Sequence, residues 1–190
     1  PRDGLDVVLT IDAAIQEILE RELAKTVEKF KAQCVMGVIM SPRTGEILAL
    51  SLAPTFDPSQ PGKAAQEVRR NRILTDPVEP GSIFKPFVLV GALQAGLTNP
   101  AEVVFCHNGV MPVSGGKRLL HDHHAYGNLT VEQVITKSSN IVMAILGLRM
   151  GNKLMYETLR ALGFGQRTGI DLPGEDNGLL MPLKRWQTPY

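Results

Sequence analysis

The 190 residues carry 44% hydrophobic and 21% charged side chains, with a formal net charge of +1. That length supports one domain with a hydrophobic core, and the composition excludes a disordered chain or a nucleic-acid binder that depends on bulk basicity. No stretch approaches the roughly 20 apolar residues that span a bilayer.

The first predicted element is an amphipathic helix from about Asp12 to Phe30. Asp12 suits its N-cap, and Ile15, Ile18, Leu19, Leu23 and Val27 recur at helical spacing. Two apolar runs, Cys34–Met40 and Glu46–Ser51, flank Ser41-Pro-Arg-Thr-Gly45 and predict an antiparallel hairpin, buried on at least one face. A polar, proline-containing loop follows from about Ala53 to Gly81. Its basic cluster, Arg69-Arg70-Asn71-Arg72, fits a solvated surface. The remainder is expected to be mostly helical. One helix begins near Ser82 and ends near Gly96, and Thr130-Val-Glu-Gln133 has the form of a capping box opening another. Two more run from about Asn140 to Met150, closed by Gly151, and from about Asn152 to Leu162. The order implies an α+β fold whose sheet is short of strands, because a lone hairpin is marginal in water. Cys34 and Cys106 fit either a disulfide or two buried thiols, since neither lies in a Cys-x-x-Cys pair.

The sharpest local motif is Pro80-Gly81-Ser82-Ile83-Phe84-Lys85-Pro86-Phe87. If Ser82 opens a helix, Lys85 stands one turn on, on the same face. A serine hydroxyl is a weak nucleophile and needs a base. A lysine serves only when its amine is neutral, which requires desolvation or a nearby positive charge. Helix N-terminal N–H groups suit a developing oxyanion. Pro86 is tolerated only in a first helical turn and so pins the helix start near Ser82. Ile83, Phe84 and Phe87 are expected to set the pair against packed, apolar surroundings.

The second motif is Lys137-Ser138-Ser139-Asn140, where Ser138, Ser139 and Asn140 are also ordinary N-cap residues. A serine–lysine pair followed by Ser-x-Asn and later by Lys-Thr-Gly marks penicillin-binding proteins and class A β-lactamases. Ser138-x-Asn140 fits the second position.

With these motifs the chain resembles the transpeptidase domain of class B penicillin-binding proteins over nearly its whole length. Val8-Leu-Thr-Ile-Asp12 with Gln16 is similar to the family's opening helix. Gly45-Glu-Ile-Leu-Ala49 and Ala53-Pro-Thr-Phe-Asp-Pro58 resemble its first hairpin and following loop. Asn71-Arg72 with Glu79–Pro86 resembles the approach to the nucleophile, and Gly165 with Thr168–Glu175 the stretch after the Ser-x-Asn helix. The resemblance implies a serine β-lactamase/penicillin-binding transpeptidase fold, with an antiparallel sheet and a helical lobe. It implies a D,D-transpeptidase in which Ser82 attacks a D-Ala-D-Ala stem peptide and Lys85 takes its proton. Ser138 would relay a proton to the leaving amine, and Asn140 would hold the substrate amide and Lys85. Peptidoglycan stem peptides, β-lactam antibiotics and proteins of cell elongation or division would be its partners. Its place would be the extracytoplasmic face of the inner membrane, with an anchor outside these residues. No metal or organic cofactor is implied.

The third motif is missing. Arg43-Thr44-Gly45 precedes the nucleophile, and Arg167-Thr168-Gly169 runs into the stretch matched above. The expectation is therefore an N-terminal portion of one transpeptidase domain, covering residues 1–190 and inactive by itself. A metal site built on Cys106, His107, His121, Asp122, His123 and His124 fits poorly, because adjacent ligands diverge and no standard zinc spacing occurs. The rival functions are a serine β-lactamase or β-lactam sensor, and a non-catalytic scaffold of the cell-wall machinery. The lactamase would need a base for water, with Asp171 and Glu175 as acidic candidates.

Overall fold

The computed structural model describes residues 4–113 and 118–186. The chain divides into two compact units, Pro1–Asp76 with Leu172–Asp176, and Pro77–Asp171 with Asn177–Tyr190.

In the first unit, helix α1 (Ala13–Phe30) opens on Asp12, whose carboxylate accepts from the N–H groups of Ala14 and Ile15 at 2.9 and 3.1 Å. Strands β1 (Val35–Met40) and β2 (Ile47–Ala53) form the expected antiparallel hairpin, with a bulge between Ile39 and Met40. Gln16 ties helix to strand like a borrowed strand residue. Its Oε1 accepts from Leu50 N at 2.9 Å and its Nε2 donates to Leu50 O at 3.1 Å. Alternate residues Ala49, Ser51 and Ala53 of β2 are buried, whereas Val38 and Met40 of β1 are exposed. The expected loop after Ala53 contains two one-turn helices, α2 (Gln66–Arg69) and α3 (Arg72–Thr75). Two members of the basic cluster share one partner there: Arg70 and Arg72 each meet the Asp76 carboxylate at 2.8 Å. Both pairs hold Asp76 below the usual carboxylate range, the Arg72 hydrogen bond most strongly.

The second unit begins with one turn of 3-10 helix, Gly81–Phe84, which runs into α4 (Lys85–Gln94). The predicted helix from Ser82 thus starts in the tighter form, and α-geometry begins only at Lys85. Gly96 ends it with φ +66°, as its position suggested. Four short strands then appear where helix and loop were expected: β3 (Val103–Phe105), β4 (Val110–Val113), β5 (Arg118–His121) and β6 (Asn128–Thr130). They pair antiparallel as β3–β6 and β4–β5.

Helix α5 (Val131–Lys137) carries the reciprocal capping box, with Thr130 Oγ1 accepting from Gln133 N and Gln133 Oε1 accepting from Thr130 N. Helix α6 (Asn140–Ala161) is interrupted at Gly151, whose φ of +66° and ψ of 168° no helical residue adopts. The two predicted helices are therefore two arms meeting at that glycine. The core of this unit lies between α4 and α6, where Val88 and Ala92 meet Val142, Leu146 and Met150 over Val104 and Leu129 of the β3–β6 pair. Both cysteines are free thiols, with Cys106 buried and Cys34 half-buried.

Candidate active site

Every residue that the motifs singled out lies in the second unit. The 3-10 turn brings Ser82 and Lys85 into register, because side chains three residues apart eclipse one another at 3.0 residues per turn. Gly81, at φ +59°, supplies the turn that leads the chain into Ser82. Pro86 sits in the first turn of α4, where its missing N–H leaves no bond unmade. Phe84 and Phe87 anchor the turn edge-to-face on Phe164, with ring centroids 5.4 and 5.0 Å away. Ile83 departs from expectation. It is 73% exposed, since in a one-turn helix the face opposite Phe84 meets no core, and Ser82 itself is exposed.

Ser138 closes α5 in the left-handed conformation, φ 55° and ψ 40°, and Ser139 opens α6 as its N-cap. This sharp junction points Ser138 at the turn that carries Ser82. Lys85 Nζ donates to Ser138 O at 2.5 Å and to Ser138 Oγ at 2.8 Å. Ser138 Oγ in turn donates to Ser82 Oγ at 3.2 Å. Lys85 thus reaches Ser82 through Ser138, and among the described residues no hydrogen bond joins the two directly. Burial holds the Lys85 ammonium below the ordinary lysine range, and the Asp122 carboxylate opposes that fall. A half-buried amine pushed toward neutrality and linked to a serine hydroxyl is the arrangement that activates a nucleophile.

Asn140 stands beside this chain without joining it. Its Nδ2 donates to His121 O at 2.9 Å, so the expected hold on Lys85 is not made here. The cause is the end of β5, which comes alongside and offers a carbonyl to the amide. Asp122, whose sequence suggested only a metal ligand, accepts from Ser139 Oγ and from the N–H groups of Asn140 and Ile141. No sequence signal links these residues. The polar residues around Asp122 are otherwise engaged: His123 stacks on His124 at 4.7 Å, His107 lies against Phe105 at 5.1 Å, and Cys106 is buried. Among the described residues no group of three or more His, Cys, Asp or Glu side chains is placed to hold a metal.

Residues 35–189 match the family model of the penicillin binding protein transpeptidase domain. The chain belongs to the penicillin-binding transpeptidase family. It is 41% identical over 187 residues to a probable peptidoglycan D,D-transpeptidase, PenA, of Neisseria meningitidis, covering 98% of this chain and 32% of that protein. Stage V sporulation protein D of Bacillus subtilis is 37% identical over 186 residues, covering 97% of this chain and 29% of that protein. The crystal structure of penicillin-binding protein 3 of Mycobacterium tuberculosis superposes with a TM-score of 0.85 at 36% identity, covering 95% of this chain and 40% of that one. That protein has also been solved in complex with aztreonam and with ampicillin. The transpeptidase chain described here therefore spans about a third of the curated relatives it matches. Its mixture of helices and antiparallel sheets is the α+β fold of the family.

Proposed function

We propose that this chain carries the acyl-transfer centre of a peptidoglycan D,D-transpeptidase, with Ser82 as nucleophile. The observation that carries the reading is the hydrogen-bonded chain from Lys85 through Ser138 to Ser82. When Lys85 is neutral, the same contacts serve in reverse, since hydroxyl protons rotate freely. Ser82 then gives its proton toward Ser138, and Ser138 gives its own to the lysine amine. Ser82 Oγ bonds to the carbonyl carbon of the penultimate D-Ala, and the carbonyl electron pair moves onto oxygen. Collapse of that intermediate breaks the C–N bond, and the departing D-Ala amine takes its proton from Ser138, which regains one from the Lys85 ammonium. The amine of a second stem peptide attacks the ester, its proton passes by way of Lys85 and Ser138 to the departing Ser82 Oγ, and the cross-link is left. Asn140, anchored through Nδ2, keeps Oδ1 for a substrate N–H.

β-Lactams would acylate the same serine, a reading supported by the aztreonam and ampicillin complexes of the tuberculosis relative. The domain would work on the cell wall outside the cytoplasm, with proteins of elongation or division as partners. Among its described residues no helix is long and apolar enough to cross a membrane. No Lys-Thr-Gly or Lys-Ser-Gly follows Asn140 in the 190 residues. We assign the wall that binds the substrate carboxylate to sequence outside them.

The test is intact-mass spectrometry of the parent protein with a penicillin. One stoichiometric adduct, mapped to Ser82, long-lived and absent in Ser82→Ala, is the expected result. An undiminished adduct in Ser82→Ala refutes the reading, and rapid turnover of the adduct favours a β-lactamase.

A further inference from the structure

We propose that Asp122 is the positioning residue of the Ser-x-Asn motif: its carboxylate, reaching across from the end of β5, fixes the α5–α6 junction and so sets where Ser138 presents its hydroxyl. The inference rests on the reading of Ser82 as the nucleophile.

Ser138 lies between two helices and belongs to neither. On one side the end of α5 holds it, through Ser138 N to Ile135 O at 3.2 Å and Ser139 N to Val134 O at 3.1 Å. On the other side stands α6, whose first N–H groups have no partner within the helix. Ser139 Oγ takes one of them, Val142 N, at 3.2 Å. Asp122 Oδ1 takes the next two, Asn140 N at 2.5 Å and Ile141 N at 3.1 Å, while Oδ2 accepts from Ser139 Oγ at 2.7 Å. Both oxygens of one carboxylate are therefore spent on the three residues that follow Ser138. The carbonyl next to it, His121 O, holds the Asn140 amide. A negative charge at a helix N-terminus is also favoured by the helix dipole.

The strand brings this group from far along the chain, 17 residues before Ser139. Ser139 is fully buried, with the Cys106 thiol against its hydroxyl, so the junction cannot slide toward solvent to find another partner. Burial pushes the Cys106 thiol up, and the nearby Asp122 carboxylate pushes in the same direction. Without the Asp122 bonds two helix N–H groups lose their acceptor, and the left-handed residue before them loses the clamp on its α6 side. The contacts of Ser138 Oγ with Lys85 and Ser82, at 2.8 and 3.2 Å, tolerate little displacement. A misplacement of about 1 Å in such a site costs on the order of a hundredfold in rate.

The experiment measures acylation of the parent protein by a fluorescent penicillin, per titratable serine, separating the saturating rate constant from the half-saturating concentration. Ser82→Ala, Asp122→Ala and Asp122→Asn are compared, with melting temperatures. Asp122→Ala is expected to lower the saturating rate about tenfold to a hundredfold, with little change in half-saturation. Asp122→Asn, whose carbonyl still accepts both N–H groups and whose amide can donate to Ser139, should restore most of it. A wild-type rate in Asp122→Ala, or a loss as large in Asp122→Asn, overturns the assignment. A loss confined to melting temperature or to the active fraction overturns it too. Should Asp122→Ala fail to fold, Ser139→Ala decides: a slowed rate per active serine supports positioning, and a wild-type rate excludes it. Labelling that persists in Ser82→Ala would instead sink the nucleophile reading, whatever Asp122 does.

Discussion

Burial draws Lys85 toward its neutral amine while the Asp122 carboxylate favours the ammonium, and burial prevails. Acylation should therefore rise with pH along a limb whose midpoint lies below the ordinary lysine range. Lys85→Met should lose at least about a hundredfold in acylation at every pH, the scale of a missing general base. The same shift has a stability consequence of definite sign. A lysine that binds its proton less tightly when folded leaves the unfolded state holding more protons between the two pKa values. Stability then increases with pH across that window. Lys85→Met should remove this slope and be the more stable protein near neutrality, as denaturant titrations at several pH values would show. Asp122 is the residue that the sequence hid. Its partners lie 17 to 19 residues onward, and no periodicity connects a strand end to a distant helix start. That Ser82, Lys85 and Ser138 come together was legible because two short motifs carry them, although neither motif reveals that Lys85 reaches Ser82 through Ser138 or that Asn140 turns to His121 O.

Among the elements, the longer helices could be read, but the one-turn helices α2 and α3 and most strands could not. α1, α5 and both arms of α6 begin or break at residues whose local chemistry dictates it: Asp12, Thr130 with Gln133, Ser139 and Gly151. β1 and β2 are long enough to show themselves. β3 to β6 span only three or four residues each, too few for alternation to register, and β4 contains Pro112. Their pairing is decided by the core they cover. α4 and α6 are held close by a glycine in the middle of a helix, where intrinsic preference argues against one. A Cβ at Gly91 would lie 2.5 Å from Met150 Cε and 2.8 Å from Thr158 Cγ2. Met150 can swing its terminal methyl aside, but Thr158 is short and branched at Cβ, so its side chain has less freedom to yield. Gly91→Val should accordingly destabilise the domain by about 1–3 kcal/mol, the usual cost of overpacking, and lower the thermal midpoint.

For the molecule as a whole, the second unit contains Ser82, Lys85, Ser138 and Asn140, and residues Leu172–Asp176 return to the first unit, where Asp176 N bonds Leu74 O at 2.7 Å. The stretch Thr168–Glu175, which matched as one motif in sequence, is thus shared between units. If the carboxylate-binding wall lies in other sequence, the polypeptide of 190 residues should keep its helices yet react slowly with penicillin. The expected deficit against the parent protein is about a hundredfold or more, comparable with the loss of an oxyanion-hole donor. Stopped-flow labelling beside far-UV circular dichroism checks it, and equal rates would show that these residues suffice.

Ser138 holds a backbone shape that costs a side chain and is nearly free for glycine. Glycine there would relax the junction and delete the hydroxyl on which Lys85 and Ser82 converge. A search that rewarded folding alone would drift toward glycine at 138 and, on the proposed reading of Ser82, lose the hydroxyl through which the lysine reaches it. If that reading holds, the serine is a place where chemistry and backbone comfort ask for different residues, and chemistry has the say.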